Sequence, residues 1–256
     1  MGINRNSMST HQEDKRPANP SRSEDLRCAA EAGFAVTVTI LAAMWLTTLA
    51  MVALVPRDLM TSGPVGGPDN IVSWLTLALF QIIATLLMLA FVARRYRGRV
   101  SYTLALGQPR ISLQRLVLTI VVVVIVIGTA SWISLTFFRD DVLRDLDVFK
   151  RLLADTPIVL PILVLCIGAP ISEEILFRGF LLGRLAHTRL GFLGAALIAT
   201  VGWTALHWGY SEVGMVEVFI AGLLFSWALW RSRSLWVPIA FHGAYNGCVL
   251  AVIHSL

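Results

Sequence analysis

The chain has 256 residues, of which 56% are hydrophobic and only 14% charged, and it carries a net charge of +5. Soluble domains carry about 25% charged residues, so this composition excludes an ordinary soluble enzyme and points to a polytopic membrane protein. Its basic residues flank apolar runs instead of forming one patch, which leaves nucleic acid out as a partner and makes the lipid bilayer the first one.

Residues 1–28 are polar, with charges of both signs, and read as a disordered cytoplasmic tail. A helix needs about 20 apolar residues to cross the hydrocarbon core. Seven runs approach that length: Gly33–Val55, Ile71–Ala93, Leu116–Phe138, Pro157–Leu182, Leu190–Trp208, Val213–Trp230 and Leu235–His254. The first begins too late and runs too long for a cleavable signal peptide, so it is expected to remain as a span. Thr61–Pro68 reads as a Gly/Pro loop. Arginines cluster after the second run (Arg94, Arg95, Arg97, Arg99, Arg110, Arg115), the fourth (Arg184, Arg189) and the sixth (Arg231, Arg233). The positive-inside bias then places the N-terminus in the cytoplasm and the C-terminus outside, in what we expect to be a bacterial cell membrane. The stretch after the third run mixes Arg139, Arg144, Lys150 and Arg151 with five aspartates, a pattern for an amphipathic helix at the outer surface. The first three runs carry no charge, and Val121–Ile127 reads as lipid-facing or packing surface. The fold class is therefore all-α, a membrane helical bundle. Residues 29–155 are its accessory part and residues 156–256 its working part. Cys28, Cys166 and Cys248 have no paired spacing and indicate neither a disulfide framework nor a CxxC metal site.

The chemistry lies in the working part. Glu173 and Glu174 are adjacent inside an apolar stretch, and Arg178 follows. Ionisable groups at membrane depth are costly, so they mark function by default. On a helix Glu174 and Arg178 share a face and can pair, whereas Glu173 points about 100° away. Glu174 is then a structural carboxylate, and Glu173 is free to face a cavity as a general base. Two further polar pairs stand one turn apart in apolar runs: Trp203 with His207, and His242 with Asn246. A carboxylate, two imidazoles and an amide are the parts needed to activate water and stabilise an oxyanion. Counting residues from the nearest turn puts Glu173 and His207 at similar depth. His242 meets them only if the last helix starts deeper or the fourth extends past the membrane. His187 and His254 sit at span ends and His11 in the tail. Cys166, Ser172 and Tyr245 have no sequence-adjacent base, which argues against covalent catalysis.

The order EExxxR, aromatic-xxx-His, HxxxN in apolar helices resembles the CAAX protease and bacteriocin-processing (CPBP, or Abi) family of intramembrane proteases. The likeness covers roughly Thr156–Ala251 and includes the segment Gly222–His242 that leads into the last motif. The second motif usually begins with Phe, and here it begins with Trp203. The resemblance implies an all-helical core around an embedded cavity and hydrolysis of a peptide bond in a membrane-associated substrate, whether prenylated or bacteriocin-like. Carried over by position, Glu173 is the base on water and His207 its partner. His242 and Asn246 polarise the scissile carbonyl, and Glu174 and Arg178 support the first helix. No cofactor is favoured, although Glu173, His207 and His242 have the composition of a catalytic His2Glu zinc set. Two other readings use the same residues: a transporter or ion relay, against which the uncharged first spans count, and a non-catalytic immunity protein.

Overall fold

The computed structural model describes residues 21–56, 70–154 and 156–255, so the Thr61–Pro68 loop and most of the tail lie outside the described residues. Every element among the described residues is helical. Six helices are long and apolar enough to cross a membrane: α1 (Arg22–Leu54), α2 (Asn70–Arg95), α4 (Leu113–Phe137), α6 (Val159–Leu185), α8 (Glu212–Ser232) and α9 (Trp236–Ser255). Three shorter helices intervene: α3 (Val100–Thr103), α5 (Arg139–Leu153) and α7 (Gly191–Ala205). The chain is an integral multi-pass membrane protein.

Helix α1 starts well before the apolar run at Gly33. Ser21 accepts from the Glu24 backbone N–H, and the Glu24 carboxylate accepts in return from the Ser21 N–H at 2.7 Å. This capping box turns residues 22–28, expected in the tail, into the first turns of the helix. Helix α7 is shorter than its apolar run. Its 15 residues rise about 22 Å, less than the roughly 30 Å of a hydrocarbon core. The amphipathic stretch folds as α5, held by Arg144–Asp141 and Arg151–Asp147 ion pairs on its exposed side. Its Asp145 accepts from both the backbone N–H and the hydroxyl of Ser211, the N-cap of α8. That ties the surface helix to the bundle. On α4, Val121, Val124 and Ile125 stay exposed, as a lipid-facing wall requires.

The arginine-rich end of the bundle shows how His242 reaches the depth of Glu173. In the turn between α8 and α9, Ser232, Ser234 and Leu235 are fully covered while Arg233 is exposed. The segment after α3 lies over it. Leu235 N–H donates to the Ala105 carbonyl at 2.8 Å, and the Ser234 hydroxyl donates to the Gly107 carbonyl at 2.6 Å. Trp236 Nε1–H donates to the Leu106 carbonyl at 2.9 Å. The last helix therefore starts beneath the segment after α3, and His242 follows six residues after its first residue, Trp236.

The distribution of positive charge predicts the orientation of this bundle. A cysteine placed in the Thr61–Pro68 loop is expected to react with an impermeant reagent on intact cells. A cysteine beside Arg97 is expected to react only after the membrane is opened. The opposite labelling pattern inverts the orientation.

Candidate active site

Helix α6 carries the site, and it is not a uniform α-helix. It widens into π-helical turns at Ile162–Gly168 and again at Glu174–Leu182, so Glu173 is the last residue before the second widening. Such turns leave backbone carbonyls without their usual i+4 donors and often mark functional sites. One of these carbonyls, Leu165 C=O, accepts from Asn246 Nδ2 at 2.8 Å. Close contact between the two helices is permitted by Gly243, where a Cβ would lie 2.5 Å from the Cys166 carbonyl.

The two glutamates flank one imidazole. Glu174 Oε1 accepts from Arg178 Nη1 at 3.0 Å and lies 3.0 Å from His242 Nδ1. Glu173 Oε2 lies 3.9 Å from the other ring nitrogen, Nε2. Glu174 and Arg178 are fully buried, whereas the Glu173 side chain is 26% exposed. The sequence divides the carboxylates by role, one paired inside and one facing outward, and their burial follows that division. The bond from His242 to Glu174 is an addition that the sequence does not signal.

Aromatic rings wall this cluster. The Arg178 guanidinium lies over Trp203, 4.2 Å from the ring centre, and its Nη2 donates to the Gly222 carbonyl at 3.3 Å. A Cβ at Gly222 would stand 2.7 Å from Thr200 Cγ2 and 3.0 Å from Arg178 Nη2, so only glycine lets α8 come this close. His242 stacks on Phe225 at 4.9 Å and meets the edge of Trp203. Trp203 also does something that phenylalanine cannot. Its indole Nε1–H donates to Glu173 Oε2 at 2.5 Å, a charge-assisted bond that fixes the exposed carboxylate.

His207 sits differently from the expectation. It falls in the turn after α7, and its Nδ1 lies 3.1 Å from the Trp203 carbonyl. Among the described residues it makes no hydrogen bond or ion pair with Glu173. Its ring packs between Trp203 and Tyr210. Tyr210, which the sequence does not single out, contacts Phe149 of α5 on its other side. Burial pushes its phenol well above the ordinary range, and the nearby Glu173 carboxylate pushes it further, so it stays a neutral donor beside the site. Asn246 is one turn beyond His242 but spends an amide hydrogen on α6, not on the glutamates.

Residues 155–248 match the family model of Type II CAAX prenyl endopeptidase Rce1-like proteins. The working part is thus similar to an Rce1-like domain over those residues. All six residues singled out in the sequence fall inside it, and Asp145 and Phe149 of α5 fall just before it. An uncharacterized 24.3 kDa protein of Escherichia coli is 37% identical over 98 residues, which make up 36% of this chain and 45% of that protein. The chain thus spans less than half the length of the curated relative it matches. No solved structure matches it. Among the described residues no three His, Cys, Asp or Glu side chains are grouped to hold an ion. Glu173 Oε2 accepts from Trp203 Nε1–H, and His242 Nδ1 faces Glu174.

Proposed function

We propose that the protein is an intramembrane endopeptidase in which Glu173 activates water and His242 stabilises the developing oxyanion. The observation that carries this reading is the imidazole between two carboxylates, one buried and ion-paired, the other accessible. With Nδ1 facing Glu174, Nε2 is the ring nitrogen left for substrate. Glu173 Oε2 and His242 Nε2 are 3.9 Å apart, so one water at about 2.8 Å from each closes a triangle with both. Water then attacks the scissile carbonyl and passes its proton to Glu173, while His242 Nε2–H donates to the carbonyl oxygen. Collapse breaks the C–N bond, and Glu173 returns its proton to the leaving amine. Trp203 orients the base throughout. His207 packs against Trp203 and Tyr210 against His207, and Asn246 holds the helix that presents His242. The substrate is a membrane-associated peptide, and the relation to CAAX prenyl endopeptidases makes a prenylated C-terminal peptide the first one to try.

Protein in liposomes, incubated with prenylated and unprenylated forms of a fluorogenic peptide, tests this. Cleavage is expected to survive exhaustive chelation, because a carboxylate supplies the base. Loss of cleavage on chelation, with recovery on adding zinc, overturns the assignment of water activation to Glu173 alone. Absence of cleavage, together with proton- or ion-driven flux, supports the relay reading.

A further inference from the structure

A second built site lies at the arginine-rich end, away from Glu173. A cavity of about 480 Å³ opens between the end of α2, the α3 segment and the end of α6. Its walls carry Arg95, Arg97, Arg99 and Arg184 together with His187. Gly183 and Arg184 stand about ten residues along α6 from Glu173, on the order of 15 Å. The cavity is therefore separate from the glutamate pair.

Part of its charge is neutralised and part is not. Glu31 of α1 pairs with Arg95 at 3.0 Å and accepts from the Tyr96 hydroxyl at 2.9 Å. Arg95 and Arg184 lie over the Tyr96 ring, 5.4 and 5.0 Å from its centre. Burial and the Glu31 bond push the Tyr96 phenol up to about 12, so it remains a neutral donor. Glu31, Arg95, Tyr96 and Arg184 thus form one connected side of the wall. Arg97 and Arg99 have no carboxylate partner among the described residues. The turn that carries them is closed by Gly98 N–H to the Ala93 carbonyl at 2.8 Å, with Arg97 at a φ of 52°. Against four arginines there is one carboxylate among the described residues, so the cavity suits an anion with several acceptor oxygens.

An adjoining feature identifies the rest of the ligand. A groove of about 500 Å³ runs along one face of α2, lined by Leu87, Ala90 and Phe91 and capped by Arg94 and Arg95. The spacing i, i+3, i+4, i+7, i+8 is a single helical stripe, apolar toward the bilayer interior and cationic at its end. Arg95 belongs to both features. A charged chamber continuous with an apolar channel has the shape of a phospholipid: phosphate at the membrane surface, acyl chain pointing inward. Basic pockets between membrane helices bind anionic headgroups for this reason.

We propose that this chamber and groove hold one anionic phospholipid, its headgroup phosphate on Arg97, Arg99 and Arg184 and an acyl chain along Leu87, Ala90 and Phe91. The proposal does not rest on the peptidase reading. Native mass spectrometry of the full chain, released from nanodiscs of phosphatidylglycerol or of phosphatidylcholine, tests it. One retained phosphatidylglycerol per chain is expected, with phosphatidylcholine lost. The two arginines without partners are exposed, so Arg97→Gln with Arg99→Gln should keep the fold while lowering phosphatidylglycerol affinity about 25-fold, roughly fivefold for each. Arg97→Lys with Arg99→Lys should recover most of it. Ala90→Trp, which fills the groove, should weaken the lipid but not soluble glycerol phosphate. Equal retention of both lipids overturns the proposal. So does full phosphatidylglycerol binding in the double glutamine variant. Glycerol phosphate that competes with the lipid, combined with no effect of Ala90→Trp, shows a free phosphate site and overturns the lipid assignment.

Discussion

Glu173→Gln is expected to abolish peptide cleavage in protein that folds and inserts normally. The substitution keeps the size of the side chain and an oxygen that still accepts from Trp203 Nε1–H, so the aromatic wall around Arg178 stays in place. It removes the only accessible carboxylate of the pair and with it the proton acceptor for water. Loss of a general base costs roughly 10²- to 10⁴-fold. His242→Ala should fall as far, because Nε2 is the ring nitrogen turned toward Glu173. Trp203→Phe is a milder variant. It preserves the ring over Arg178 and deletes one hydrogen bond to a charged group, for a loss of roughly 10-fold. Turnover on a validated peptide, normalised to folded protein, measures all three. Wild-type turnover in Glu173→Gln removes the carboxylate from the mechanism, and a Trp203→Phe loss as deep as that of Glu173→Gln would mean that the indole bond is not a refinement.

Much of this architecture is legible in the chain because membrane helices report themselves by length and hydropathy. Six of the seven apolar runs become long helices within a few residues of their expected limits, apart from the early start of α1. The start of α1 is missed because hydropathy does not register a capping box, although Ser21-x-x-Glu24 is a readable signature. The site is legible as a set of residues and less so as a set of contacts. Spacing of four along a helix predicts the Glu174–Arg178 pair, and that local rule holds even though α6 widens there. Spacing says nothing about neighbours on different helices. The bond from His242 to Glu174 and the donor that Trp203 sends to Glu173 depend on how deep α9 begins and on how close Gly222 and Gly243 let the helices come. The π-helical turns of α6 have no composition of their own to announce them. His207, expected as the partner of Glu173, lies in the turn that follows Ala205, with its Nδ1 at the Trp203 carbonyl and its ring between Trp203 and Tyr210.

Arg178→Met is expected to be the most destabilising single change in the domain. The guanidinium is fully buried, pairs with Glu174 at 3.0 Å, donates to the Gly222 carbonyl and lies between Trp203 and Phe225. Methionine replaces the apolar contacts but leaves Glu174 as a buried carboxylate with only His242 beside it. Breaking a buried pair in this way costs about 3–5 kcal/mol, since the remaining charge has lost its guanidinium partner. Glu174→Gln leaves the complementary orphan, Arg178⁺, and should cost a similar amount. The double variant Glu174→Gln/Arg178→Met removes both charges and should therefore be less destabilised than the sum of the singles, by at least about 1 kcal/mol of coupling. Thermal unfolding in detergent, followed for all four proteins, measures this cycle. Additive losses would show that the two side chains do not act as a pair. Activity provides a second, independent readout on Glu174. Because Oε1 lies 3.0 Å from His242 Nδ1, Glu174→Gln should lower turnover per folded molecule as well as stability, the amide being a weaker acceptor for the ring that faces the water. Turnover that tracks folded protein and nothing more would confine Glu174 to holding α6 together, with the orientation of His242 left to its stacking on Phe225.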